Sequence, residues 1–157
     1  MKLSVKNIGL IAGGILLLAQ LIRPEKNQSN ASPAPILERY PASEQVVDIL
    51  QRACNDCHSN FTEYPWYAEV QPIASWLANH VEEGKEHLNF SDFTNGSPKR
   101  QAHKFEEIIE MVQEGEMPLQ SYTWAHKSAV LNEAEKTALI DWARTSMAAV
   151  GPAEEGE

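Results

Sequence analysis

The sequence predicts one all-α domain. Four segments carry apolar residues at helical spacing, and each of them begins at a residue that is typical of a helix N-terminus. No segment sustains the two-residue alternation of a half-buried strand, so we expect no substantial sheet. The 157 residues have room for one such domain with short flanking segments. We expect the domain at residues 43–149, after an N-terminal segment at 1–23 and a linker at 24–42, and before an acidic tail at 150–157.

The N-terminal segment combines a basic leader with an apolar run, IGLIAGGILLLAQLI, at residues 8–22. Lys2 and Lys6 precede the run and Arg23 follows it, a pattern that is typical of a secretion or membrane-insertion signal. The run is short of the about 20 residues that a transmembrane helix needs, but basic side chains that reach the membrane surface bring it close to that length. Because no pair of small residues suits cleavage, we expect an uncleaved transmembrane helix over 1–23.

The linker, PEKNQSNASPAPILERYPA, is rich in proline, serine and asparagine and shows no periodicity. We expect residues 24–42 to connect the anchor to the domain or to wrap around it.

A start signal predicts each of the four helices. Their first residues or caps are Ser43, Pro72, Ser97 and Asn132. Serine and asparagine side chains cap free backbone N–H groups, and proline suits the first helical turn. Glu135 completes a capping-box pattern with Asn132, and Gly115 is typical of the end of the third helix. The first helix leads directly into Cys54.

The charge of the chain limits its partners. The formal net charge is −9, and from Glu25 onward 10 Lys/Arg face 22 Asp/Glu, a balance of −12. Such an acidic domain repels nucleic acid, so we exclude nucleic-acid binding and expect partners that carry basic docking patches.

The two cysteines of the chain lie in QRACNDCHSNF, residues 51–61, where His58 directly follows Cys57. A structural zinc site needs four ligands, and the sequence has no second cysteine pair and no histidine pair at finger-like spacing. A thioredoxin-like redox motif needs a strand–helix setting that the pattern lacks. A disulfide across so short a loop would constrain little, and it would leave His58 without a role.

Covalent haem attachment uses all three residues of the motif. The thiols of Cys54 and Cys57 can add to the two haem vinyl groups, and His58 is then held beneath the iron as its proximal ligand. We therefore predict one covalently attached haem c. Attachment of this kind takes place outside the cytoplasm, which agrees with the predicted anchor. We expect a single-pass protein of the bacterial cytoplasmic (inner) membrane with its haem domain on the periplasmic side.

A six-coordinate haem needs a second axial ligand, for which methionine and histidine are the candidates. Met117 lies in EGEMPLQSY, between Gly115 and a proline that stiffens the backbone. Met111 and Met147 lie on the apolar stripes of helices and are better explained as core residues. We predict Met117 as the distal ligand, with His87 as the rival.

The chain resembles class I c-type cytochromes and, more closely, the bacterial haem-binding-domain family of small membrane-anchored monohaem cytochromes. The segments that carry the resemblance are IRPEKN (22–27), CNDCHSNFTEYPWY (54–67), EEGKEHLNFSDF (82–93) and EGEMPLQSY (114–122). The resemblance implies a class I cytochrome c-like fold around one covalent haem. It also implies thioethers at Cys54 and Cys57, with His58 as proximal and Met117 as distal ligand. The role of EHLNFSDF is not assigned by it.

These features predict an electron carrier rather than an enzyme, because a six-coordinate iron has no open position for a substrate. We expect redox proteins or a respiratory membrane complex as partners. A haem subunit or haem sensor within a larger membrane complex is the alternative. A haem peroxidase is less well supported, because such enzymes use an open iron or a second haem and the chain has one CxxCH motif.

Overall fold

The computed structural model describes residues 4–151, which are mostly helical. The α-helices of this part are α1 Val5–Ala19, α2 Ile36–Arg39, α3 Glu44–Ala53, α4 Asn55–His58, α5 Ile73–His87, α6 Pro98–Glu114, α7 Gln120–Ala125 and α8 Glu133–Ala149. Two 3₁₀ helices cover Trp66–Glu69 and Lys127–Ala129. Between residues 4 and 151, β-pairing is limited to isolated bridges that join Gln28 to Phe61 and Ala34 to Asp92. Most of the predicted acidic tail lies outside the described residues.

The predicted transmembrane helix is wrong. Helix α1 ends at Ala19, and its 15 residues make it about 22 Å long, against a hydrocarbon core of about 30 Å. Just past its end, the Gln20 side chain bonds to the backbone of Gln71, accepting from its N–H at 3.1 Å. No helix within residues 4–151 has the length and apolar character needed to cross a membrane. The predicted single-pass location in the cytoplasmic membrane is therefore wrong as well.

Helices α3, α5, α6 and α8 begin where the sequence predicts. The side chain of Ser43 caps α3, Ser97 caps α6, and Asn132 and Glu135 form the complete capping box of α8. Gly115 ends α6 in the left-handed conformation with φ of 75°, which glycine adopts without steric cost. These ends are set by local contacts and could therefore be read from the sequence.

The core lies where α3 and α6 pack against α8. Its largest fully buried side chains are Phe105, Ile49 and Leu139, one from each of these helices. Tyr40, from the segment before α3, packs edge-on against Phe105 with ring centroids 4.9 Å apart. The indole N–H of Trp142 donates to the Tyr40 carbonyl at 3.3 Å, so α8 also fixes the chain that enters α3.

The chain between α1 and α3 runs along the domain. Residues 24–42, which the sequence predicts as a linker or wrap-around segment, contain the buried side chains of Ile36 and Tyr40. Residues 27–34 follow residues 59–62 and 91–94, to which they are joined by backbone hydrogen bonds. We call residues 24–34 the strap, because they tie the start of the chain to the segment that follows α4.

Helix α5 packs directly against α4, and Gly84 makes this close approach possible. A Cβ atom at position 84 would lie 2.7 Å from the carbonyl oxygen of Cys57, which is closer than real Cβ contacts allow. Any larger residue would therefore push α5 away from the cysteine motif. The contact fixes the C-terminal half of α5 against the turn that holds Cys57 and His58.

Candidate functional site

The cysteine motif forms one compact turn. The Cys54 N–H donates to the Leu50 carbonyl and so closes α3, and the Cys54 carbonyl accepts from the N–H groups of Cys57, at 3.2 Å, and His58, at 3.0 Å. The structure thus brings Cys54, Cys57 and His58 together, as the spacing predicts. Both cysteines are half-buried free thiols.

Burial disfavours the thiolate form of both cysteines. It raises the pKa of Cys54 to about 12, with the charge of Cys57 adding to the rise and that of Arg52 opposing it. Burial likewise raises the pKa of Cys57 to about 11, and the Asp56 carboxylate adds to this rise. At neutral pH both side chains are therefore protonated thiols.

The imidazole of His58 is held by two backbone carbonyls. Its Nδ1 lies 2.8 Å from the Gly84 oxygen and 3.0 Å from the Leu88 oxygen. Because a carbonyl oxygen only accepts, Nδ1 carries the proton and donates it. Nε2 is then unprotonated, which is the form of histidine that binds a metal ion.

Electrostatics keep this ring neutral. Burial lowers the pKa of His58, and the charge of His87 lowers it further. The hydrogen bonds to the Leu88 and Gly84 carbonyls oppose this change but do not cancel it. A neutral imidazole at physiological pH suits a ligand role. Within residues 4–151 no group of three or more His, Cys, Asp and Glu side chains is placed to hold a metal ion.

The segment EHLNFSDF, whose role the sequence leaves open, supports His58. Leu88 supplies one of the two carbonyls, and the N–H of Phe90 donates to the His58 carbonyl at 2.7 Å. The ring of Phe90 lies 6.0 Å from the imidazole, centroid to centroid. The Asn89 side chain donates to the Asn60 side chain at 2.9 Å. This segment therefore fixes both the ring and the backbone of the histidine.

The strap supports the same region through Asn27. Its side-chain amide donates to the Ser59 carbonyl at 2.8 Å and to the Thr62 hydroxyl at 2.9 Å. Its side-chain oxygen accepts from the Lys85 ammonium at 2.7 Å. Asn27 thus links the chain after His58 to α5. The sequence signal was its place in IRPEKN, but no spacing rule identifies its partners.

Asp56, between the two cysteines, connects the motif to EGEMPLQSY. One carboxylate oxygen accepts from the Glu63 N–H at 2.9 Å and the other accepts from the Tyr122 hydroxyl at 2.7 Å. Burial raises the pKa of Tyr122, and the hydrogen bond and charge of Asp56, with the charges of Cys57 and Cys54, raise it further. Both residues lie in segments that carry the family resemblance, but no sequence pattern predicts the bond between them.

Neither candidate for the distal ligand lies in the motif turn. Met117 follows the end of α6, where its backbone N–H donates to the Met111 carbonyl at 3.1 Å, and its side chain is half-buried. Tyr122, five residues later, reaches Asp56. His87 is the exposed last residue of α5.

The comparison with family models decides the family. A model described as haem-binding domain matches residues 14–145. The chain belongs to the haem-binding domain family. Membership of this family supports the haem cofactor that the sequence predicts. No curated protein and no solved structure was found to match the chain.

The motif turn fits the haem that the haem-binding domain family implies. His58 offers an unprotonated Nε2 whose orientation is fixed by the Gly84 and Leu88 carbonyls. The two thiols lie on the same turn as this ring, and no disulfide joins them in the described part of the chain. The side chains present can therefore supply both an axial ligand and two sites of attachment.

Proposed function

We propose that the chain carries one covalently attached haem c and transfers single electrons. The observation that carries this proposal is the turn that joins two free thiols to a histidine with an unprotonated Nε2. Each thiol would add across a vinyl double bond, sulfur to one carbon and hydrogen to the other, so attachment needs no oxidant. The bound haem would supply an iron that alternates between the ferrous and ferric states.

His58 would be the proximal ligand, and the residues behind it would tune its strength. Hydrogen bonds from Nδ1 to carbonyl oxygens make the opposite nitrogen a stronger donor to a metal. Gly84 and Leu88 both accept from this nitrogen, so they would hold the ring plane and favour the ferric state.

Two observations support Met117 over His87 as the distal ligand. The two nitrogens of an imidazole point in roughly opposite directions, and Nδ1 of His58 faces the last turn of α5. His87 belongs to that turn, so it lies on the Nδ1 side of the His58 ring, away from the Nε2 that would bind the iron. The segment of Met117 reaches the motif by a separate path, through the bond between Tyr122 and Asp56.

A His/Met haem supports an electron carrier rather than an enzyme. If His58 and Met117 both held the iron, it would have no site for a peroxide or another substrate. The partners would be redox proteins or a respiratory complex with basic docking patches, which the balance of −12 from Glu25 onward would attract. A haem subunit or sensor within a larger complex is the second candidate, since the same site would suit both roles.

Carbon monoxide binding to the reduced protein tests this proposal. A six-coordinate iron should take up the gas poorly, whereas the Met117→Ala variant should bind it readily. Met147→Ala is the matched control, because it removes a methionine that packs against the core on α8. Ready binding of carbon monoxide by the unaltered protein would contradict the carrier function. If the His87→Ala variant bound the gas readily and the Met117→Ala variant did not, the distal ligand would be His87.

A further inference from the structure

A row of aromatic rings leads from the surface of the protein to the cysteine motif. Trp66 is 80% exposed and contacts Tyr67 edge-on, with ring centroids 5.9 Å apart. The Tyr67 ring lies 6.4 Å from that of His126, and its hydroxyl is 3.3 Å from Nε2 of the histidine. His126 stacks on Tyr122 at 4.2 Å, with only 21° between the ring planes. We call Trp66, Tyr67, His126 and Tyr122 the aromatic row.

The inner end of the row touches the motif itself. The Tyr122 hydroxyl donates to the Asp56 carboxylate at 2.7 Å and lies 3.5 Å from the Arg52 carbonyl. Asp56 stands between the two cysteines, and Cys54 and Tyr122 both pack against the main core. The row therefore spans the distance from an exposed indole to the attachment turn, with no gap between neighbouring side chains.

Sequence-distant segments are brought together to build this row. Trp66 and Tyr67 lie in the first 3₁₀ helix, Tyr122 lies in α7, and His126 directly follows α7. The His126 ring is fixed on both sides, because Nδ1 lies 3.2 Å from the Tyr122 carbonyl while Nε2 meets the Tyr67 hydroxyl. Helix α7 contributes no fully buried residue, and within the row Tyr122 is the member that packs against the main core.

We propose that the aromatic row is the path along which electrons pass between the haem and a redox partner in contact with Trp66. This inference rests on the proposed electron-transfer function. One electron would move in each event: a one-electron carrier protein would be oxidised as the bound haem is reduced, or the reverse, with no exchange of atoms or protons. Exposed tryptophans are frequent at the energetic centres of protein interfaces, which suits Trp66 as the outer end.

Photoinduced electron transfer tests the path. A ruthenium polypyridyl complex is attached to a cysteine introduced by Glu69→Cys, one 3₁₀ turn from Trp66 and on the exposed surface. A second protein carries the same label through Glu110→Cys, on the exposed side of α6. A light pulse makes the complex give one electron to the ferric haem, and the absorbance of the haem reports the rate. Mass spectrometry first establishes that the haem is covalently bound.

If the aromatic row is the path, the rate of electron transfer should depend on which residue replaces His126 and on which label supplies the electron. His126→Leu removes the middle ring and should slow transfer from the label at 69 severalfold, whereas His126→Phe keeps an aromatic ring and should preserve most of the rate. Transfer from the label at 110 should change in neither variant. An unchanged rate from position 69 in His126→Leu overturns the path, and so does an equal slowing from both labels, which would mean a general effect on the haem.

A second readout is independent of electron transfer. In the NMR spectrum of the reduced, diamagnetic protein, the ring protons of His126 should be shifted upfield by the stacked Tyr122 ring, and Tyr122→Leu should remove this shift. Absence of the shift in the unaltered protein would overturn the row as a structure in solution. A chain that lacks covalent haem would instead overturn the proposed function, so the two failures are distinguishable.

Discussion

The state of a single side chain, His58, decides what the site can bind. Two carbonyls from α5 and the following residue fix the Nδ1 proton, and burial keeps the ring neutral. An exposed histidine in the same sequence would rotate freely and be partly protonated near its ordinary pKa of about 6.5. The structure around His58 therefore presents an unprotonated Nε2, the atom that would bind the iron of the proposed haem.

The thiols give a prediction for the chain without haem. Because the pKa values of Cys54 and Cys57 are raised to about 12 and about 11, both should react slowly with iodoacetamide at pH 8 while the chain is folded, and faster in denaturant. Above pH 9 the folded chain keeps the two thiol protons, whereas the unfolded chain loses them. The contribution of these thiols to the free energy of unfolding is therefore complete below pH 9, and it is lost as the pH rises through the folded pKa values.

Mass spectrometry of the alkylated chain over time checks this prediction. Equal rates in the folded and denatured chain at pH 8 would contradict it. Iodoacetamide should add nothing to the haem-bound protein, because both sulfur atoms would be in thioethers.

At this scale the spacing of CxxCH predicts one site from Cys54, Cys57 and His58, and the structure places these three residues in one turn. The residues that support the turn could not be predicted in this way. Asp56 and Tyr122 meet across 66 positions of the sequence, and no local pattern encodes such a contact.

Among the helices, the packing of α5 against α4 is the contact on which the site depends most. Gly84→Ala should lower the free energy of unfolding by about 1–3 kcal/mol, because the new methyl group would overlap the Cys57 carbonyl. It should also change the visible spectrum or the reduction potential, because the Gly84 carbonyl holds Nδ1 of His58.

Gly13→Ala in α1 is the matched control for this substitution. A Cβ atom at position 13 meets nothing within 4 Å, so the change should leave stability equal or slightly higher, as alanine favours helix over glycine. Urea unfolding of the haem-bound proteins measures both effects. A Gly84→Ala protein as stable as the Gly13→Ala protein would contradict the close contact.

Helices with a capping residue in the sequence were predictable, and the short helices were not. Ser43, Ser97 and Asn132 bond to backbone groups three residues away, so their signals are complete within the sequence. Helix α7 has six residues, with Tyr122 anchored to Asp56, a contact made in three dimensions. The apolar run at the N-terminus continues to Ile22 whereas α1 ends at Ala19, and the bond between the Gln20 side chain and Gln71 joins residues 51 positions apart, which no local pattern predicts.

Across the whole molecule, the strap joins the N-terminal part of the chain to the site. Asn27→Ala should lower the free energy of unfolding by about 1–3 kcal/mol, because it removes two donors and leaves the Ser59 carbonyl and the Lys85 ammonium without this partner. The loss should be visible as earlier urea unfolding of the haem-bound protein.

Ser32→Ala provides the comparison within the same strap. Its hydroxyl makes an exposed bond of 3.4 Å to the Ser91 carbonyl, so its removal should change stability by less than about 0.5 kcal/mol. If the Asn27 and Ser32 variants unfold at the same urea concentration, the strap does not stabilise the site through Asn27.

The central claim is that Cys54 and Cys57 hold a haem covalently, and its most direct test is the mass of the denatured chain. The protein is purified from a host that attaches haem to CxxCH motifs, and acidified organic solvent then extracts any haem that is not covalently bound. We predict that the unaltered chain keeps the mass of one haem and that the Cys54→Ser, Cys57→Ser double variant loses it. An unaltered chain with the mass of the polypeptide alone would contradict the account.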